Sequence, residues 1–374
     1  MIDVHPVTIT LNERTRTYTA GFQTEAQFES GWQSVLKTAY GRAELRCGCR
    51  GVGPKRLAVK YYESNQFSLA RFSLTGCQHA QDCQYYGANP AQSGQGAYAQ
   101  GVIDQQPDGS VKIRLKVSML ERPDVAPIGS TGLTSKLRNP SAKQSSMELL
   151  GLLHYLWDEA GLNQWKPGFA GKRRSSLAYW WINNAADNVW AGDVKLADLL
   201  LLPAFGGETR DAHRNRTRAA LALQHKNRML IIAPLAAFSQ EQSVAMASQL
   251  KIGGFHGMPR PFMQTGLSVT AEFVPVDSSF ERIVAELLVK QGRSFTKQLR
   301  YDAGTEQVLP DFILTDTAKE VPLEVFGRDD ADYLKRQEEK AAYYNAQYGR
   351  AGWWSWDALA SSSPSDVPPF PPAR

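Results

Sequence analysis

The chain has 374 residues, 43% hydrophobic and 21% charged, the balance of an ordinary soluble globular protein with room for two or three cores. Apolar runs such as "LADLLLL" and "MLIIAPLAAF" fall short of the roughly 20 residues of a membrane helix. "MIDVHPVTIT" has neither the charged start nor the apolar stretch of a signal peptide, so the cytoplasm is the expected compartment. A net charge of +5 permits a nucleic-acid partner without demanding one.

Two short alternating strands, "VTITL" and "TRTYTA", open the chain. A helix is predicted from about Thr24, with Phe28, Trp32 and Leu36 on its buried face. All four cysteines then fall between Cys47 and Cys83. In a reducing compartment such clustering argues for a metal site rather than a disulfide framework. Cys47 and Cys49 form a close pair, and Cys77, His79 and Cys83 form a second cluster beyond strand-like residues. Two such knuckles can share one tetrahedral zinc, with Gly48 letting both sulfurs turn inward. Five candidates compete for four places; the plainer alternative is free buried thiols beside a surface histidine. "VKIRLKVSML" reads as a half-buried strand with Lys112, Arg114 and Lys116 on its outer face. The Gly/Ser/Pro-rich "APIGSTGLTSKLRNPSAKQ" marks a boundary, closing an N-terminal region at 1–130 with its zinc segment at 47–83.

A mixed α/β middle region is expected over 141–275. A capping box from Ser145 to Glu148 leads into the helix "MELLGLLHYLWDEAG", ended by Gly161. His154, among Leu153, Tyr155 and Leu156, reads as a core histidine rather than a ligand. A basic turn, Lys172, Arg173 and Arg174, whose cations are further candidates for nucleic-acid contact, precedes a second helix, "RSSLAYWWINNAADNVW". "RDAHRNRTRAALALQHKNR" then carries six Lys or Arg in nineteen residues. Arg210, Arg214, Arg216 and Arg218 crowd its leading part, where they can track phosphates without reading bases. A solvated face is the plainer reading. "MLIIAPLAAF" follows as a buried strand.

Over 279–360 the order is helix, strand, hairpin, helix, strand, and the Pro/Ser-rich tail 361–374 is expected to be disordered. The hairpin is "LPDFILTDTAKEVPLEVFG". Pairing Asp311 with Glu324 leaves a four-residue loop, Asp316 to Lys319. Phe312, Leu314, Val321, Leu323 and Val325 then face a core, while Asp311 and Glu324 share the other face. Two carboxylates that close repel unless a cation lies between them, and Mg²⁺ is the natural occupant. On the following helix Tyr333, Gln337, Lys340 and Tyr344 fall on one stripe.

The cysteine segment, the "LLHYLW…AGLNQW" helix and "PDFIL…LEVFG" together resemble a bacterial family catalogued as domain of unknown function 1173, common on mobile elements. That resemblance implies Cys47, Cys49, His79 and Cys83 as zinc ligands, with Cys77 departing from the pattern so that it or His79 is the spare. Residues 279–357 resemble the PD-(D/E)xK nuclease superfamily, whose acids hold Mg²⁺ and whose lysine activates water. The likeness implies Glu281 as the additional helix acid. Phe326 stands where the lysine belongs, and Lys340 is the candidate for a lysine moved to the helix, with Lys335 as runner-up. The expected fold class is therefore multidomain α+β: a zinc-stabilised N-terminal region, a mixed α/β middle region and a C-terminal restriction-endonuclease-like αβββαβ domain. The expected function is Mg²⁺-dependent cleavage of nucleic acid, with DNA the expected substrate, by Asp311, Glu324, Lys340 and Glu281. Its rivals are an inactive zinc-containing DNA-binding factor and a structural or interaction protein of a mobile-element apparatus.

Overall fold

A computed structural model of the protein describes residues 4–62, 66–87, 89–106, 108–116, 143–173, 175–202, 209–212, 215, 230–236, 263–303, 308–360 and 363–374. The N-terminal alternation folds into a hairpin of β1 (Val7–Leu11) and β2 (Arg14–Tyr18). Asn12 and Glu13 between them are left-handed, at φ 48° and 67°, as a two-residue hairpin turn requires. After the short α1 (Ala20–Thr24), α2 (Glu29–Ala39) starts later than the periodicity suggests and buries Trp32, Leu36 and Ala39. Phe28 lies just before it, 37% exposed and stacked on Phe22, rather than on the buried face. Strands β3 (Glu44–Cys47), β4 (Arg56–Tyr62) and β5 (Gln66–Arg71) complete a sheet of order β2-β1-β3-β4-β5, whose inner residues Val7, Leu45, Leu57 and Val59 pack with Trp32 and Leu36.

Next come β6 (Ile103–Gln105), β7 (Val111–Ile113), α3 (Leu149–Glu159), β8 (Gln164–Trp165), α4 (Ser175–Asp187), β9 (Val189–Ala191), β10 (Val194–Lys195) and β11 (Leu200–Leu201). The parallel β12 (Leu230–Ala236) and β13 (Met263–Val269) follow. β7 runs parallel to β9 in a sheet of order β10-β9-β7-β6, so β6 and β7 share a sheet with the middle of the chain while Gly109, between them, backs onto β4. Strands of three residues cannot bury a face alone, and nothing in their own composition names the partner. Val111, Ile113, Leu152, Leu156, Trp157 and Ile182 share one core. His154 lies in it, 3% exposed, its Nδ1 accepting from the Tyr301 amide at 2.8 Å. The capping box does not form. Glu148 makes no side-chain cap, and the amides of Glu148 and Gly151 donate instead to the remote Asp302 carboxylate at 2.7 and 3.1 Å.

The last part contains α5 (Ser279–Lys290), β14 (Phe295–Lys297), β15 (Phe312–Leu314), β16 (Val321–Phe326), α6 (Ala331–Tyr348) and β17 (Trp354–Asp357). Ser278 caps α5 through the Glu281 amide, and Asp330 caps α6 through Tyr333. The sheet order is β17-β16-β15-β14-β8, with β17 parallel to β16 and the other pairs antiparallel. Its edge strand β8 comes from the middle of the chain, so no clean cut separates the two parts. Phe295, Phe312, Leu314, Leu323 and Val325 pack against Val284 and Leu288 of α5. The tail is not the disordered segment its composition suggests. Phe370 stacks on Trp354 at 5.0 Å, Trp354 Nε1 donates to the Pro369 carbonyl, and the Arg374 amide donates to the Asp316 carbonyl at 2.9 Å. Proline pre-extends that segment, and two apolar anchors, Val367 and Phe370, dock it on the core. Among the described residues no helix is long and apolar enough to cross a membrane.

Candidate functional site

The end of β3 delivers Cys47 into the N-terminal core, and Cys49 follows across Gly48. The second knuckle is a turn after β5 that presents His79 and Cys83. The two press together at Gly51, where a Cβ would lie 2.0 Å from the Gln78 carbonyl oxygen. Lys55 Nζ ties the first knuckle by donating to the carbonyls of Cys49 and Gly51 at 2.8 and 2.9 Å. Cys47, Cys49, His79 and Cys83 are all buried, with their ligand atoms within 4.8 Å of one another. Cys47 and Cys83 sulfurs are 3.7 Å apart, and His79 Nδ1 lies 3.7 Å from the sulfurs of both Cys49 and Cys83. Zinc–sulfur bonds of about 2.3 Å and tetrahedral angles require ligand separations of about 3.6–3.8 Å. The spacing fits. The amides of Ala80 and Tyr85 donate to the Cys49 and Cys83 sulfurs at 3.4 Å, as suits thiolates. The Cys83 thiol hydrogen bond pulls Cys47 well below the ordinary thiol range, while the same contact and burial push Cys83 up. The group can hold a metal such as zinc. Cys77 is exposed and outside it, which removes Cys77 as the alternate ligand.

In the C-terminal hairpin Phe312 pairs with Leu323, Ile313 with Pro322 and Leu314 with Val321, a register whose next step sets Asp311 against Glu324. The ladder loosens there. The Asp311 amide donates to the Leu323 carbonyl at 3.0 Å, and its carboxylate accepts from the Val325 amide at 2.8 Å. Phe312, Leu323 and Val325 face α5, and Glu324 faces α6. From α6, Lys340 Nζ donates to both Glu324 oxygens at 2.8 and 2.9 Å, and the Tyr344 hydroxyl donates at 2.7 Å. Lys335 is exposed, whereas Tyr333, Gln337, Lys340 and Tyr344 form the less exposed stripe. Phe326, 5% exposed, fills the sheet beside β17.

Glu281, fully buried at the start of α5, accepts from the Asp277 amide at 2.9 Å and meets Lys297 Nζ at 2.9 Å. Lys297 also holds Asp277 at 2.9 Å, and Arg300 lies 3.5 Å from Asp311. Burial, together with the charge of Asp311, pushes Glu324 up to about 7 against the pull of Lys340 and Tyr344. Burial pushes Glu281 up to about 8, opposed by Lys297 and reinforced by Asp311 and Asp277. Asp311 therefore acts on both buried glutamates. Lys297 and Arg300 did not figure among the sequence candidates, whereas Tyr344 lies on the helix stripe the sequence picks out. Lys297 had a signal: it alternates onto the core face with Phe295, where a charge needs a partner.

Of the basic candidates, Lys172, Arg173 and Arg210 are described. Lys172 and Arg210 are exposed. Arg173 is not a phosphate contact: it is 7% exposed, donates to the carbonyls of Leu162 and Gly161 at 3.0 and 2.9 Å, and stacks on Phe169. Its guanidinium is used up inside the fold. Arg174, Arg214, Arg216 and Arg218 lie outside the described residues.

A family model described as protein of unknown function (DUF1173) matches residues 18–248 and 263–358. No curated protein and no solved structure matches the chain.

Proposed function

The chain belongs to the DUF1173 family, a membership that carries no activity, and we propose that it is a Mg²⁺-dependent nuclease of the PD-(D/E)xK kind that cleaves phosphodiester bonds of DNA, in the setting of mobile elements. One observation carries the reading: Lys340 reaches back from α6 to within 2.8 Å of Glu324, beside buried Asp311. The acid cluster suits a hard cation, since it offers carboxylate oxygens and neither sulfur nor imidazole. Asp311 and Glu324 would hold the ion, with Glu281 the supporting acid. Bound Mg²⁺ supplies electrostatic stabilisation of the phosphate's developing charge. Lys340 keeps a proton at Nζ and orients the attacking water through that charge. Arg300, 39% exposed by side chain, offers a positive group to a phosphate at the open side of Asp311. The buried Lys297 fixes Glu281 and Asp277 in place.

A second reading is favoured by the same contacts. Lys340 and Tyr344 already engage both Glu324 oxygens, as they would in a DNA-binding module without chemistry. Plasmid nicking, and cleavage of single- and double-stranded substrates with Mg²⁺ or Mn²⁺, decides between them. Salt-sensitive binding without cleavage selects the second.

The cysteine cluster is proposed as a structural zinc site, closed by four protein ligands and leaving no open position for substrate. Metal analysis of freshly purified protein should give about one zinc per chain, kept in Cys77→Ser and lost in Cys83→Ser. A content below about half an equivalent would contradict the assignment.

The acid cluster also sets a pH dependence. Both Glu324 and Glu281 rise from 4.5 on folding, so between that value and about 8 the folded protein binds more protons than the unfolded chain. Stability contributed by these groups is present on the acid side and is lost as pH rises toward about 8. Without divalent cation the melting temperature should fall across this window, and Mg²⁺ should raise it most at the alkaline end. A melting temperature that climbs steadily through the window counts against it.

A further inference from the structure

Lys297 pairs with Phe312 across β14 and β15, and the next residue keeps the same register, because the Gln298 amide donates to the Asp311 carbonyl at 3.1 Å. Side chains alternate along a strand. Lys297 lies on the α5 side, where its Nζ meets Glu281. Gln298 therefore projects to the opposite face, the one from which Lys340 and Tyr344 reach Glu324. Gln298, Asp311 and Glu324 form a row across three neighbouring strands.

The glutamine is 2% exposed, and its Oε1 is sealed from solvent without a hydrogen-bond donor. A buried amide oxygen left so is costly, and native structures rarely keep one without a use. Its neighbours in the row are satisfied: Glu324 by Lys340 and Tyr344, Asp311 by the Val325 amide and Arg300. The nearby ammonium groups are engaged elsewhere, Lys297 with Asp277 and Glu281, Lys340 with Glu324 and the Leu309 carbonyl. What remains to meet this oxygen is a group that enters from outside.

We infer that Gln298 Oε1 is a further protein ligand, beside Asp311 and Glu324, for a divalent cation. The inference rests on the metal-dependent reading proposed above. An amide oxygen is a hard donor of the type Mg²⁺ and Mn²⁺ accept. Being neutral, it adds coordination without adding charge to a site that already holds Asp311 and Glu324.

Mn²⁺ titration of the full-length protein, followed by electron paramagnetic resonance, tests this. Wild type should bind Mn²⁺ at a site lost in Asp311→Asn. Gln298→Met keeps the length and removes the oxygen, and should weaken Mn²⁺ binding at least about tenfold, the lower end of what a metal site loses with even a supporting group. Gln298→Asn withdraws the oxygen by one methylene and should weaken binding likewise, which decides the matter if the Met variant does not fold. Gln298→Glu should bind Mn²⁺ at least as well as wild type. Wild-type affinity in both the Met and Asn variants overturns the inference and leaves the nuclease reading standing. Absence of Mn²⁺ binding by wild type overturns both.

Discussion

Asp311→Asn and Glu324→Gln should each abolish Mg²⁺-dependent cleavage, and Lys340→Ala should cost roughly a hundredfold or more in rate, the usual worth of a group that manages a proton in the transition state. The three effects differ in kind. Asp311 and Glu324 carry the negative charge that would hold the cation. Lys340 makes two of the three hydrogen bonds to Glu324. Its removal takes away the strongest group opposing burial and Asp311, so they raise Glu324 further. Lys340→Ala should therefore move the alkaline rise of the rate to higher pH as well as lower its plateau. A merely structural lysine would lower stability and leave the pH profile in place. Lys335→Ala, on the exposed face of α6, should leave both unchanged. Full cleavage by Lys340→Ala, with an unshifted profile, would remove the lysine from the reaction.

The parts of this site that the sequence makes legible are those set by short-range periodicity. Alternation within "DFIL" and "VPLEVF" fixes which residues meet the core, and the observed pairs Phe312–Leu323 and Leu314–Val321 follow it. Steps of three and four on α6 bring Lys340 and Tyr344 to one stripe, and both end on Glu324. The cysteine spacing likewise leads to a buried group of four, although not to the exclusion of Cys77. What the sequence hides is pairing at long range. Trp165 joins the C-terminal sheet by pairing with Phe295, 130 residues away. Asp302 caps α3 in place of the local Ser145–Glu148 box. Arg173 looks like a surface cation in a basic turn, yet its neighbours Leu162 and Gly161 offer it carbonyls inside. The tail has a disordered composition but carries Val367 and Phe370, and two apolar anchors on a stiff chain suffice to dock it. Local composition reports the cost of ordering a segment and not the surface that awaits it.

Removing zinc, by Cys83→Ser or by chelation, should loosen the acid-bearing hairpin as well as the N-terminal sheet. The second knuckle is bound directly to it. Gln81 Nε2 donates to Glu320 Oε1 at 3.2 Å, and the Tyr86 hydroxyl donates to the same oxygen. The Gln81 and Tyr86 carbonyls accept from Lys166 and Gln164, at 2.8 and 3.0 Å, beside the sheet's edge strand β8. Glu320 immediately precedes β16, four residues before Glu324. Without the metal, His79 and Cys83 lose the closure that shapes the turn holding Gln81 and Tyr86, because binding and local folding are one equilibrium. The melting temperature should drop by roughly 10 °C, as several kcal/mol would produce in a chain of this size. Hydrogen exchange should quicken over residues 44–86 and, with them, over 316–326. Glu320→Gln separates the two effects: zinc content and exchange in the N-terminal sheet should hold, while the hairpin alone loses protection. Zinc-free protein whose 316–326 segment exchanges as slowly as before would show that the knuckle rests on the hairpin without supporting it.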